Sequence, residues 1–479
     1  MSTVRENGGS STCVIELRPT SAFSTKEDGQ RPPGITLNTE RENNDNSNDH
    51  HTPGWEQDTE SLGPGRAVAH AREKWNEPSV NAPRTFATFW CFVIMGANDA
   101  AYGALIPYLE TYYNLTYTIV SLVFLSPLVG YAVAALFNHA IHMRLGQRGV
   151  AILSSSFHLI AYVINSVHPP FPVLVVSFIF AGLGNGLGDS AWNAWVGNLA
   201  NANEVLGFLH GFYGLGAVLS PLVATSFITK ANLQWYTFYY LMIGGAVIEL
   251  AFGTVAFWKA NQHEFRKHIA QSSEQSSQHK GGNGLKEALL TKPAARVTWL
   301  CAAFLLGYVG AEVALGGWIV TFMMRVRHGG AFASGMTATG FWIGITVGRV
   351  VLGFVTARIG EKFAISIYLL LAMAFELIFW LVPQFYVSAV AIAIQGFFLG
   401  PLFPAAIVAA TKLLPKHLHV SSIGFAAALG GAGAAVFPFA VGAIAQAKGV
   451  QVLQPFALAL LIAVLGAWML LPRMPKNEE

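Results

Sequence analysis

The sequence predicts an all-α integral membrane protein whose twelve transmembrane helices form two six-helix repeats. Three observations predict it. Of 479 residues, 53% are hydrophobic and 11% charged, against about 25% charged in a typical soluble domain. Twelve apolar segments follow from Phe86 onward, each long enough at about 1.5 Å per residue to cross a hydrocarbon core of about 30 Å as a helix. Polar and glycine landmarks in the first six segments return in the last six at a nearly constant displacement.

Residues 1–85 hold few apolar runs and include NTERENNDNSNDHHTPG. Such a stretch buries too little apolar surface to offset ordering entropy, so it is read as a disordered cytosolic tail. It has no early apolar stretch of the kind a secretory signal needs. The first six segments start near Phe86, Thr118, Arg148, Phe171, Val205 and Trp235, giving an N-terminal bundle over 86–258. A polar linker over 259–295, with QSSEQSSQHKGGNG inside it, follows. The second six start near Arg296, Phe332, Phe363, Tyr386, Val420 and Leu453, giving a C-terminal bundle over 296–472 and a cytosolic tail over 473–479.

Lys and Arg set the orientation. With the N-terminus inside, the short inner loops carry Arg144, Arg148, Arg358, Lys362, Lys412 and Lys416, and the stretch from Lys259 to Arg296 adds seven more. The outer loops carry Lys230, Arg325, Arg327 and Lys448. Positive charge then lies inside and both termini are cytosolic, as for a multi-pass protein of the plasma membrane. The sequon Asn114-Leu-Thr falls in the first outer loop. A net charge of +3, dispersed along the chain, points away from a nucleic-acid partner. Cys13, Cys91 and Cys301 have neither metal nor disulfide spacing and are assigned no chemistry.

The duplication is specific in its residues. Glu312 stands 213 positions after Asp99, and Gly316 stands 213 after Gly103. Gly396 follows Gly182 by 214, and Arg358-Ile-Gly-Glu-Lys362 echoes Arg144-Leu-Gly-Gln-Arg148 by 214. Internal repeats with polar positions at mid-membrane are the mark of secondary transporters. A carboxylate in the centre of a helix such as MGANDAAYGALIPYLE costs roughly 2.5–3.5 kcal/mol on insertion scales, so a site that uses Asp99 is expected. In helix 4, Asn185, Asp189 and Asn193 recur every four residues and share one face. That face must look into the bundle or a water-filled cavity.

GYVGAEVALGGWIV in helix 7, HGFYGLGAVLSPL in helix 5, GFFLGPLFPAAI in helix 10 and GFAAALGGAGAAVFPFAVG in helix 11 resemble the fucose:proton symporter family of the major facilitator superfamily. The resemblance spans Phe86 to about Pro472. It implies the major facilitator fold, a sugar-like substrate and proton symport. It matches Asp99 to the family's helix 1 acid for substrate and proton, Asp189 to a helix 4 Glu with a protonation role, and Glu312 to the YVGAEV acid. Asp in place of Glu at 189 is one methylene shorter, which leaves open whether Asp99 or Asp189 carries the proton. Each of the three acids has a structural alternative, as a carboxylate that pins neighbouring helices. Arg349 in GRVVLG resembles the helix 8 to 9 gate motif, with Arg358 further along it, and is expected to pair with an acid near the cytosolic side. Gln395 and His210 are candidate cavity partners, and Trp192, Trp318, Phe341 and Trp342 candidate stacking surfaces for a sugar ring. Glu249, Glu376 and His158 are read as satisfied structural groups.

No P-loop, HExxH or GxSxG occurs, and GLGNGLGD lacks the strand-to-helix context of a dinucleotide site. The chain is therefore expected to be no enzyme and to need no cofactor. Its expected partners are protons, a small polar solute and the lipid bilayer, and it is expected to work as a monomer. An exporter of a hydrophobic metabolite or drug and a transport-dead nutrient sensor remain as alternatives.

Overall fold

The computed structural model describes residues 73–200, 202–267, 284–415 and 418–474. The expected tail up to residue 72, with Cys13, the middle of the linker and residues 475–479 lie outside the described residues. Fourteen α-helices account for nearly all of the rest. They are α1 (Asn81–Tyr113), α2 (Tyr117–Val120), α3 (Leu122–Ser166), α4 (Phe171–Gly197), α5 (Ala202–Thr229), α6 (Thr237–Ala256) and α7 (Gly284–Leu290). They continue as α8 (Ala294–Arg325), α9 (Ala331–Ile359), α10 (Glu361–Leu381), α11 (Phe385–Leu399), α12 (Leu402–Leu413), α13 (His419–Lys448) and α14 (Leu453–Leu470).

Eleven helices are long and apolar enough to cross a membrane among the described residues, and the longest runs 50 residues over Tyr117–Ser166. Gly146 splits that one into two crossings, because its φ of 69° and ψ of −172° break the helix. Gly360, 214 positions on, has φ 87° and ψ 140° and separates α9 from α10. Side chains other than hydrogen rarely tolerate such angles. The echo Arg-x-Gly in the sequence thus places a positive-φ glycine between two crossings in each half, and the twelve expected crossings are present. Helix α1 starts at Asn81, five residues before the expected boundary, held by Asn81 Nδ2 donating to Glu73 Oε2 at 2.9 Å.

Packing repeats with the sequence. Helix α1 lies on α5 as α8 lies on α13; α3 lies on α4 as α9 lies on α11; α3 lies on α6 as α10 lies on α14. The two halves meet through α1 with α8, α5 with α9, and α3 with α13. The repeated glycines make the first of these contacts: a Cβ on Gly103 would stand 2.0 Å from the Gly316 carbonyl oxygen. Small residues let helix backbones touch where lipid gives no hydrophobic drive to associate. At the end of the molecule where α1 finishes, Arg325 pairs with Glu110 at 3.4 Å and Tyr117 N–H donates to Gln446 Oε1 at 2.9 Å. Large apolar side chains such as Leu136, Phe137, Val255 and Phe354 are exposed around the periphery, as a lipid-facing surface requires.

Candidate functional site

Asp99 sits at mid-length in α1 and keeps accessible surface although its helix neighbours Asn98 and Ala100 are buried. Its carboxylate is gripped by neutral donors from three directions. Asn98 Nδ2 and Asn185 Nδ2 donate to Oδ1 at 3.0 and 2.9 Å, and the Tyr213 hydroxyl donates to Oδ2 at 2.9 Å. No cation is among these partners. Asn98 also donates to the Tyr102 hydroxyl at 2.9 Å, which fixes its amide.

The helix 4 face read from the sequence holds together. Asn185 reaches Asp99 on α1. Asp189 accepts from Asn193 Nδ2 at 2.8 Å, and Asn193 Oδ1 lies 3.2 Å from His210 Nε2 on α5. The His210 ring stands 6.4 Å from Phe403 on α12, so this polar face reaches the second half.

Across the interface, Glu312 Oε1 lies 3.6 Å from Arg349 Nη2, and Arg349 Nε donates to the Gly400 carbonyl at 3.2 Å. The expected acid partner of Arg349 is therefore Glu312 inside the membrane, not a residue at the cytosolic end. Arg349 is close enough to interact with Tyr213 and His210 as well. Arg358 is exposed in the last turn of α9 and apart from this group. Gln395 is also apart: it is fully buried and donates to Glu376 Oε2 at 2.8 Å, joining α11 to α10.

The aromatic candidates separate too. Trp318 and Phe341 are wholly buried, with Trp318 Nε1 donating to the Pro438 carbonyl at 2.8 Å. Trp192 stacks on Phe257 at 4.6 Å. Trp342 differs, because its ring lies against Gly316 at the α1–α8 crossing and its Nε1 is buried without a partner. Sequence reasoning missed Tyr213 and Asn98 as partners of Asp99. It also missed that His158 and Glu249 belong to the same network, through Asn185.

Residues 88–338 and 300–479 match the Major Facilitator Superfamily. The chain belongs to the Major Facilitator Superfamily. It is 32% identical over 413 residues to Bypass of stop codon protein 6 of Saccharomyces cerevisiae, covering 81% of this chain and 82% of that one. It is 24% identical over 358 residues to the glucose/mannose transporter GlcP of Bacillus subtilis, covering 73% and 85%. Among solved structures it superposes on a D-xylose-proton symporter with a TM-score of 0.64 at 12% identity, covering 82% of this chain and 98% of that one. It superposes on the transporter FucP in its outward conformation with a TM-score of 0.58 at 15% identity, covering 83% and 100%. Both superpositions show a shared fold. The chain is thus a multi-pass membrane transporter and not an enzyme.

Proposed function

We propose that this chain carries a sugar-like solute together with a proton, using Asp99 as the group that couples them. The observation that carries this reading is the neutral surround of Asp99: three donors hold the carboxylate with no Lys or Arg among them. A low-dielectric setting disfavours an uncompensated charge, so uptake of a proton relieves the site and the same oxygens then serve a substrate hydroxyl. Asn193, Asp189 and His210 from the first half and Trp342 Nε1 from the second supply further donors and acceptors of the kind a polyol needs. The names of the relatives GlcP and the D-xylose-proton symporter support the substrate class.

Transport in this reading follows alternating access. The α1–α8 crossing at Gly103 and Gly316, with the Glu110–Arg325 and Tyr117–Gln446 contacts, closes one side, and rocking of the bundles 86–258 and 296–472 opens it. The distribution of Lys and Arg supports placing both termini in the cytosol and the closed side outside, in the plasma membrane, with the monomer as the working unit. Purified protein in liposomes tests the proposal by counterflow of hexoses and deoxyhexoses, with and without a pH gradient and a protonophore. Sugar exchange with accumulation that collapses on adding protonophore is expected. Flux indifferent to both would reduce the protein to a facilitator. Absence of any sugar flux, with export of apolar compounds instead, would replace this reading with the exporter.

A further inference from the structure

A second group of titratable side chains lies behind Asp99, away from the interface between the halves. His158 on α3 is fully buried, with Nδ1 2.9 Å from Glu249 Oε2 on α6 and Nε2 2.9 Å from Asn185 Oδ1 on α4. Gly184 makes room for the ring, since a Cβ there would stand 2.4 Å from His158 Cδ2. The second oxygen of Glu249, Oε1, is buried and has no partner. Glu249 also lines a cavity of about 10 Å³ with Cys91, Ser154, Trp192 and Phe257 among others, which is room for about one water.

We propose that the Glu249–His158 pair is a second proton-holding site, joined to Asp99 by the Asn185 amide so that a proton gained by Asp99 shifts the protons held within the pair. This inference rests on the coupling role assigned to Asp99. An amide has one donor end and one acceptor end, so whichever end faces Asp99 fixes the end that faces His158. While Asp99 is a carboxylate it only accepts, so Asn185 must present Nδ2 to it and Oδ1 to the imidazole. Nε2 must then carry a hydrogen, and one further proton is shared between Nδ1 and Glu249 Oε2.

When Asp99 gains a proton and donates it, the amide reverses. Its N–H end then faces Nε2, which must be bare, and the ring keeps its hydrogen on Nδ1 toward Glu249. The displaced proton has an oxygen without a hydrogen-bond partner to occupy, Glu249 Oε1. The balance closes: one O–H bond forms on Asp99 from the incoming proton, one N–H bond breaks at Nε2, and one O–H bond forms at Oε1. The net charge of Asp99, His158 and Glu249 goes from −1 to 0.

The other titratable groups facing the pair are Cys91 on α1 and Tyr162 on α3. Cys91 is close enough to the Glu249 carboxylate for its thiol to donate a hydrogen bond to it. Tyr162 stacks on His158 with ring centroids 6.0 Å apart. Tyr102 and Tyr239 lie further along the same layer. None of them offers a second acceptor to Nε2, which leaves Asn185 in sole control of that hydrogen among the described contacts.

The test needs no substrate and no gradient, so its outcome is separate from that of the transport assay. Protein labelled with ¹⁵N in its imidazole rings is titrated in detergent, with the His158 signals assigned by His158→Gln, while the carboxylic C=O stretch of Asp99 is followed by infrared difference spectroscopy against Asp99→Asn. The expected result is a His158 change from Nε2–H to Nδ1–H at the same pH midpoint as the Asp99 band, lost in Asp99→Asn. Glu249→Gln, which keeps the shape and removes the oxygen that takes the proton, should abolish the change. Where Glu249→Gln is not monodisperse, the wild-type and Asp99→Asn titrations decide alone. A His158 tautomer that stays constant while Asp99 titrates, or that changes with an unaltered midpoint in Asp99→Asn, overturns the proposal.

Discussion

Asp99 and Glu312 occupy the same place in the two repeats, yet their surroundings differ in kind. Each stands four residues before a glycine at the α1–α8 crossing. Asp99 keeps accessible surface and meets only neutral donors, whereas Glu312 is 7% exposed and has Arg349 beside it. The duplication preserved the helix crossing and let the chemistry diverge. A guanidinium compensates Glu312 in place, so no proton is required to neutralise it. Asp99 has no such partner, and a proton is the cation left to it. In the proposed reading the second half supplies a fixed ion pair and the first half a single carboxylate whose charge varies.

Breaking the compensated side should have the largest effect on the folded protein. Arg349→Met strands Glu312 within the membrane, and removing one member of a buried pair costs about 3–5 kcal/mol. Thermal unfolding in detergent should show a clear loss, and adding Glu312→Gln should restore most of it, because no uncompensated charge is then left. A double variant as unstable as Arg349→Met alone would mean that Arg349 acts through the Gly400 carbonyl rather than through Glu312.

Next in size is the crossing that both acids share. Gly103→Leu sets a side chain where the Gly316 carbonyl already stands, so α1 and α8 must part. Transport should fall by about tenfold or more, with Gly103→Ala milder. Transport at wild-type rate in Gly103→Leu would show that the close crossing is not needed in the cycle.

A smaller effect is expected at Asp189. It shares a helical face with Asn185 but bonds to Asn193, not to Asp99, so Asp189→Asn should weaken substrate exchange and leave the dependence of uptake on pH in place. Loss of that dependence with exchange intact would move the proton site from Asp99 to Asp189. Least affected should be Gln395→Leu, since Gln395 faces Glu376 between α11 and α10. Substrate affinity should stay within about twofold of wild type, and a larger change in counterflow half-saturation would return Gln395 to the binding site.

What the sequence made legible follows from which interactions are periodic along the chain. Apolar length gave the crossings, and the Arg-x-Gly echo marked the breaks at Gly146 and Gly360 because both take a positive φ. The helix 4 face was visible because Asn185, Asp189 and Asn193 repeat every four residues. The partners of Asp99 were not visible: Tyr213 lies 114 residues away and contacts it only after α1 packs on α5. His158 and Glu249, 91 residues apart, each looked like an isolated polar residue in an apolar helix. The signal available was that both sit within membrane spans, where an isolated polar group is costly and a partner is to be expected. For Gln395 and Arg349 the sequence did not name the partners, Glu376 and Glu312, because one sequence does not say which neighbour a buried polar group faces.

The central claim is that Asp99 is the variable charge, and Asp99→Asn measures it most directly when two assays are run on the same liposomes. Asn keeps the size and most of the hydrogen bonding of a protonated Asp but does not titrate. The account predicts that Asp99→Asn retains sugar exchange at equilibrium and loses accumulation driven by a pH gradient, while Glu312→Gln retains both. Full gradient-driven accumulation by Asp99→Asn would contradict it and leave Asp99 as a carboxylate that only ties α1 to α4 and α5.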